Sequence, residues 1–145
     1  MELQQAYRIE TRLVKEPDFP YNGVRFENPG DVTKFTKILD DMDIEKFVVL
    51  FLNTYKELVC LKSYEGTINQ VPVIPRELAK ISLLTGTAGV VLVHNHPSGS
   101  LTPSKEDEKV TSDIKSALKI FDITLVDHII VGQNGTFSFI ENHLL

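Results

Sequence analysis

The sequence predicts one α/β (α+β) domain in which a mostly buried sheet is covered by helices, and three observations lead there. A chain of 145 residues that is 42% hydrophobic holds enough apolar material for one core and too little for two. Residues 46–53 carry apolar side chains on both alternating faces, and 88–94 are nearly all apolar, the pattern of strands with a layer on each side. Around them, apolar residues recur at helical spacing.

Taken in order, residues 6–14 alternate loosely and read as a strand, with a loop containing Pro and Gly running on to Gly30. This makes 1–30 an N-terminal strand and loop extension ahead of the domain at 31–145. From Asp31, placed to cap a first turn, Val32, Phe35, Leu39 and Met42 fall at helical spacing, so a helix is expected over 31–42. Residues 46–53 form a central strand, and the turn Asn53-Thr54-Tyr55-Lys56 returns the chain into a second strand at 58–64. A loop through Pro72 and Pro75 leads to a short helix at 76–84, since proline is tolerated in a first turn where its missing N–H has no partner anyway. Residues 88–94 are a third buried strand, stopped by Pro97 and Gly99. The next helix starts near Ser104 and sets Val110, Ile114, Leu118 and Phe121 on one face. Strands at 124–131 and 136–139 flank Gly132-Gln133-Asn134-Gly135, a hairpin turn.

Composition narrows the function classes. Fifteen Lys plus Arg against twenty Asp plus Glu leave a net charge of −5, without the uniform basic field that drives non-specific nucleic-acid binding. One cysteine, Cys60, excludes an intrachain disulfide framework and a Cys-rich metal site, and its apolar neighbours place it in the core. The longest apolar run has six residues, whereas a membrane-spanning helix needs roughly 20. The first residues lack the features of a secretory signal, so a soluble cytoplasmic protein is expected.

The chemistry concentrates in His94-Asn95-His96-Pro97-Ser98-Gly99, followed by Ser104 and Asp107. Histidines at i and i+2 on a strand end project from one face, so both imidazoles reach the same cation. At about 100° per residue, Asp107 lies on the apolar stripe of its helix and points at the core, while Glu106 and Glu108 fall to either side. A buried carboxylate is costly unless it is hydrogen-bonded or coordinates a cation. Two His and one carboxylate leave a position open for water, as in catalytic zinc; non-haem iron accepts the same ligand types. Zinc lowers the pKa of a bound water to about 7. The plainer alternative is an S-x-x-D capping box at Ser104 and Asp107 beside an ordinary polar strand end.

This array, His94-x-His96, seven residues, Ser104, two residues, Asp107, with a Glu before the first core strand, resembles the signature of the MPN/JAB (JAMM) metalloprotease superfamily. Within it, His94-Asn95-His96-Pro97-Ser98-Gly99, Pro103-Ser104, Gly66-Thr67, Arg76-Glu77, Asp127-His128-Ile129-Ile130 and Ser138-Phe139 resemble the RadC-like branch, over residues 31–145. The resemblance implies a single JAB/MPN-like domain with a mixed β-sheet flanked by helices. It also implies one Zn2+ held by His94, His96 and Asp107, Glu45 as the acid/base residue toward the attacking water, and Ser104 as the oxyanion stabiliser. The reaction implied is hydrolysis of a peptide or isopeptide bond in a peptide or protein substrate. Glu65 and Glu77 compete with Glu45 for the acid/base role, and strand alternation sets Glu45 on the face of Phe47, Val49 and Phe51.

Two departures bear on partners. Full-length RadC proteins usually carry a helix-hairpin-helix region that suggests DNA contact, and the 145 residues leave no room for it. Deubiquitinating relatives usually have Ser between the histidines, where this chain has Asn95, so ubiquitin recognition is not implied. Asp127-His128 is expected to hydrogen-bond at a strand start rather than to form a second metal site. Two rival functions follow from the resemblance: a DNA-repair-associated factor, opposed by the net charge of −5, and a non-catalytic MPN scaffold, opposed by the intact ligand set.

Overall fold

The apolar run after Lys46 becomes β1 (Lys46–Leu52), in which every residue beyond the first is buried. The structure, a computed structural model, describes residues 23–39, 43–66 and 73–145. The strand expected at 6–14, the helix end at 40–42 and Pro72 lie outside the described residues. β1 turns back into β2 (Leu58–Glu65), and α1 (Pro75–Thr85) leads to β3 (Gly89–Asn95). α2 (Lys105–Lys119) then crosses to β4 (Thr124–Gly132), which pairs with β5 (Gly135–Ser138). The strand order is β2-β1-β3-β4-β5, with β3 and β4 parallel and the other pairs antiparallel. A parallel pair needs a long crossover, and α2 supplies it. The sheet is therefore mixed, with β1 an inner strand and β3 at its centre.

Alternation along the inner strands divides the core in two. Val48, Leu50, Leu52, Val91, Val93 and Ile129 face Phe26, Val32 and Phe35 on one side. Phe47, Val49, Phe51, Val90 and Leu92 face Leu78 of α1 and Ile114 and Leu118 of α2 on the other. Full burial of each such side chain is worth roughly 1.5–3 kcal/mol, which fixes the register of the inner strands. No helix among the described residues is long and apolar enough to cross a membrane.

Four expectations change. The helix expected from Asp31 is a 3-10 helix over Pro29–Leu39, whose three-residue repeat aligns Val32 with Phe35 on the core. Asp31 does not cap that helix: its Oδ2 accepts from the backbone N–H of Glu27 and Asn28, ahead of it. Phe121 is 46% exposed because α2 ends at Lys119 and Asp122 turns the chain at φ 56°, leaving Ile123 to fill the core position. Cys60 is half-buried, because β2 is an edge strand.

Candidate metal centre

Three segments meet at the end of β3. His94 lies in the strand and His96 just past it, on the same face, before the chain reverses through Gly99 at φ 78°. The Gly99 N–H donates to the His96 carbonyl at 2.8 Å. A glycine is suited to that left-handed position because it has no Cβ to clash. The reversal delivers Ser104 to the N-cap of α2, where its Oγ accepts from Asp107 N–H at 3.0 Å and Asp107 Oδ2 accepts from Ser104 N–H at 2.8 Å. The capping box is real, and it aims the carboxylate at the histidines.

His94, His96 and Asp107 converge, with one ligand atom from each within 4.8 Å of the others. His94 Nε2 is 2.9 Å from His96 Nε2 and 3.3 Å from Asp107 Oδ1, and His96 Nε2 is 3.3 Å from Asp107 Oδ2. Ligand bonds of about 2.0–2.1 Å in a tetrahedral shell place neighbouring donors about 3.3 Å apart, and each imidazole here stands at that distance from one of the two oxygens of the Asp107 carboxylate. His94 and Asp107 are buried, while the His96 side chain keeps 16% of its surface exposed.

The protons can be traced from the acceptors. His96 Nδ1 lies 2.9 Å from the Ser100 carbonyl, which only accepts, so that nitrogen carries the hydrogen. His94 Nδ1 lies 2.8 Å from Nε2 of His128, a residue buried on β4. Burial, then the charge of His94, push the His128 pKa well below its ordinary value, so it is neutral. With hydrogens on both Nδ1 atoms, the Nε2 atoms of His94 and His96 are the ring positions turned toward each other and toward the carboxylate. Such a donor set calls for a cation, and its chemistry fits a divalent metal. Burial pushes the Asp107 carboxyl up, but the hydrogen bond and charge of His94, with the bonds from Ser104, outweigh it and hold the group well below the usual carboxylate range.

Sequence reasoning missed how His128 arrives here. The β3–β4 register shifts between Val90 and Val91, so Leu125 and His128 share the α2 side while Ile129 points to the other. A bulge of this kind reverses the alternation, which no periodicity in 124–131 announces. Asp127 instead accepts from Ser138 Oγ at 2.6 Å and from the His128 and Ile140 N–H groups. Burial raises its pKa against those bonds.

Glu45 is not one of the three converging residues. Glu45 directly precedes β1, whose Phe47 pairs with His94. Its backbone is held from both sides: Glu45 C=O accepts from Gly66 N–H at 2.9 Å, and buried Asn95 accepts from Lys46 N–H at 2.7 Å and donates to Ile44 C=O at 2.9 Å. Asn95, read from the sequence only as a spacer, thus ties the segment bearing Glu45 to the strand bearing the histidines. Glu77 is engaged by Lys62 and by Tyr64 Oη, and Glu65 is exposed on edge strand β2.

A mixed sheet whose central strand ends in His-x-His beside a helix-start Asp defines a JAB/MPN-type domain. The profile of the RadC-like JAB domain matches residues 26–144. The chain is 38% identical to the UPF0758 protein YeeS of Escherichia coli strain K12 over 144 residues, 99% of this chain and 95% of that protein. It is 41% identical to a UPF0758 protein of Histophilus somni strain 2336 over 97% of this chain and 64% of that one. To the UPF0758 protein MADE_1000235 of Alteromonas mediterranea it is 39% identical over 83% of this chain and 54% of that one. The chain belongs to the RadC-like JAB domain family, spanning nearly all of the first relative and little more than half of the last.

Proposed function

We propose that this chain is a metal-dependent hydrolase that holds one zinc ion on His94, His96 and Asp107 and cleaves a peptide or isopeptide bond. The observation that carries the reading is the pair of imidazole Nε2 atoms 2.9 Å apart with one carboxylate oxygen 3.3 Å from each. Zinc bound there would supply Lewis acidity for a carbonyl and make water nucleophilic near neutral pH. Glu45 takes the proton from the attacking water and returns it to the leaving amine. The Ser104 hydroxyl accepts from Asp107 N–H and keeps its own proton to donate to the developing oxyanion. Phe47, stacked on His94 with ring centroids 5.7 Å apart, shields the inner side of the site from water.

Metal analysis of the full chain purified without added metal, followed by a peptide-library cleavage screen, tests this reading. The expected result is about one zinc per chain, as for a three-ligand catalytic site. Glu45→Gln should keep that zinc and lose about 10²–10⁴-fold in turnover. A folded chain free of metal contradicts the reading, and an unchanged rate in Glu45→Gln removes Glu45 from the acid/base role.

A further inference from the structure

We propose that His128 and Thr111 are positioning residues, a buried relay that commits His94 to present Nε2, and not Nδ1, to a cation. The proposal rests on reading His94, His96 and Asp107 as a cation site, and it assigns a role to two residues outside that set.

Hydrogen counting carries it. Thr111 Oγ1 donates to the Asp107 carbonyl at 2.6 Å, which uses the only hydrogen of the hydroxyl. The same oxygen lies 2.6 Å from His128 Nδ1 and must accept there, so His128 carries its hydrogen on Nδ1. His128 Nε2 is then a lone pair, and the 2.8 Å contact with His94 Nδ1 has one sense only, His94 donating. That leaves His94 Nε2 directed at Asp107 and His96.

Among the described residues, no other hydrogen bond to these side-chain atoms is seen. His94 and His128 are 0% exposed and Thr111 is 2% exposed, so water does not replace either partner. The His128 ring stacks on Phe139 with centroids 4.5 Å apart and meets Phe47 edge-on, which blocks the flip that would exchange its two nitrogens. The relay also closes a circuit: it runs from His94 through His128 and Thr111 to the backbone of Asp107, whose carboxylate stands on the far side of the His94 ring. Ligands from β3 and α2 are thereby tied through a third element, β4. Outer partners that fix a ligand's tautomer typically change metal affinity 10–100-fold.

Two measurements on the full chain test this. In nitrogen-15 spectra of the metal-free protein, His128 should show a protonated Nδ1 and an unprotonated Nε2; the opposite tautomer overturns the relay. In zinc titrations against a chelator, Thr111→Val should bind about 10–100-fold more weakly and Thr111→Ser should match the wild type. Cobalt substituted for zinc should show altered visible bands in Thr111→Val. Equal zinc affinity in Thr111→Val and wild type overturns the relay alone. A wild-type chain that takes up no zinc overturns the cation site itself, and this role with it.

Discussion

On one face of β3, Val91 and Val93 meet Val48, Leu50 and Ile129; on the other, Val90 and Leu92 lead into His94, with His128 and Asp107 beside it. Val91 and His94 are both 0% exposed, so burial alone does not tell the two faces apart. The apolar face is held by summed area, and its cost of change is set by volume. The polar face is held atom by atom, because each buried donor or acceptor left without a partner costs its full desolvation. The same strand therefore does two jobs, and the two faces should fail in different ways.

The largest difference is expected at the ligands. His94→Ala or Asp107→Asn should abolish stoichiometric zinc binding, read by metal analysis, while Leu50→Ala should retain it. Leu50→Ala should instead lower unfolding free energy by about 2–5 kcal/mol in urea titrations, the usual range for a buried Leu. Loss of zinc from Leu50→Ala would mean that the two faces are not independent.

The pH response separates the faces more finely. His128 is held neutral with a lowered pKa, so the unfolded chain binds a proton that the folded chain refuses. Its contribution to stability is therefore intact above the unfolded value of about 6.5 and is lost as the pH falls below it, by up to about 1.4 kcal/mol per pH unit. Asp107, with a lowered pKa, adds a loss in the same direction at lower pH. Denaturation of the metal-free chain from pH 7 to pH 5 should show the first slope, and His128→Leu should flatten it.

The smallest effect on stability is at Ser104, where the observed cap coincides with the proposed oxyanion donor. Ser104→Gly should cost only a few tenths of a kcal/mol of stability, against about 1 kcal/mol for Ser104→Ala. Both should lower turnover, since either removes the hydroxyl. Equal turnover in Ser104→Gly and wild type would reduce Ser104 to a cap.

The features legible in the sequence are those generated within one regular element. His94 and His96 follow from strand parity, and Asp107 from the stripe of α2, so their convergence was readable before any coordinates. The β1–β2 hairpin and the β4–β5 turn were readable from their turn residues. What could not be read depends on how elements meet. His128 reaches the site through the shift at Val90 and Val91, Thr111 matters only because β4 packs beneath α2, and Asn95 acts across two strands. The 3-10 geometry of Pro29–Leu39 was hidden because Val32 and Phe35, three apart, satisfy either helix.

The central claim is that two imidazoles and one carboxylate hold one ion. X-ray absorption at the zinc edge of the full chain tests it most directly. The account predicts a first shell of two nitrogens and light oxygens at about 2.0–2.2 Å that loses its imidazole signal in His94→Ala. A shell containing the Cys60 sulfur, or only water oxygens, would contradict it.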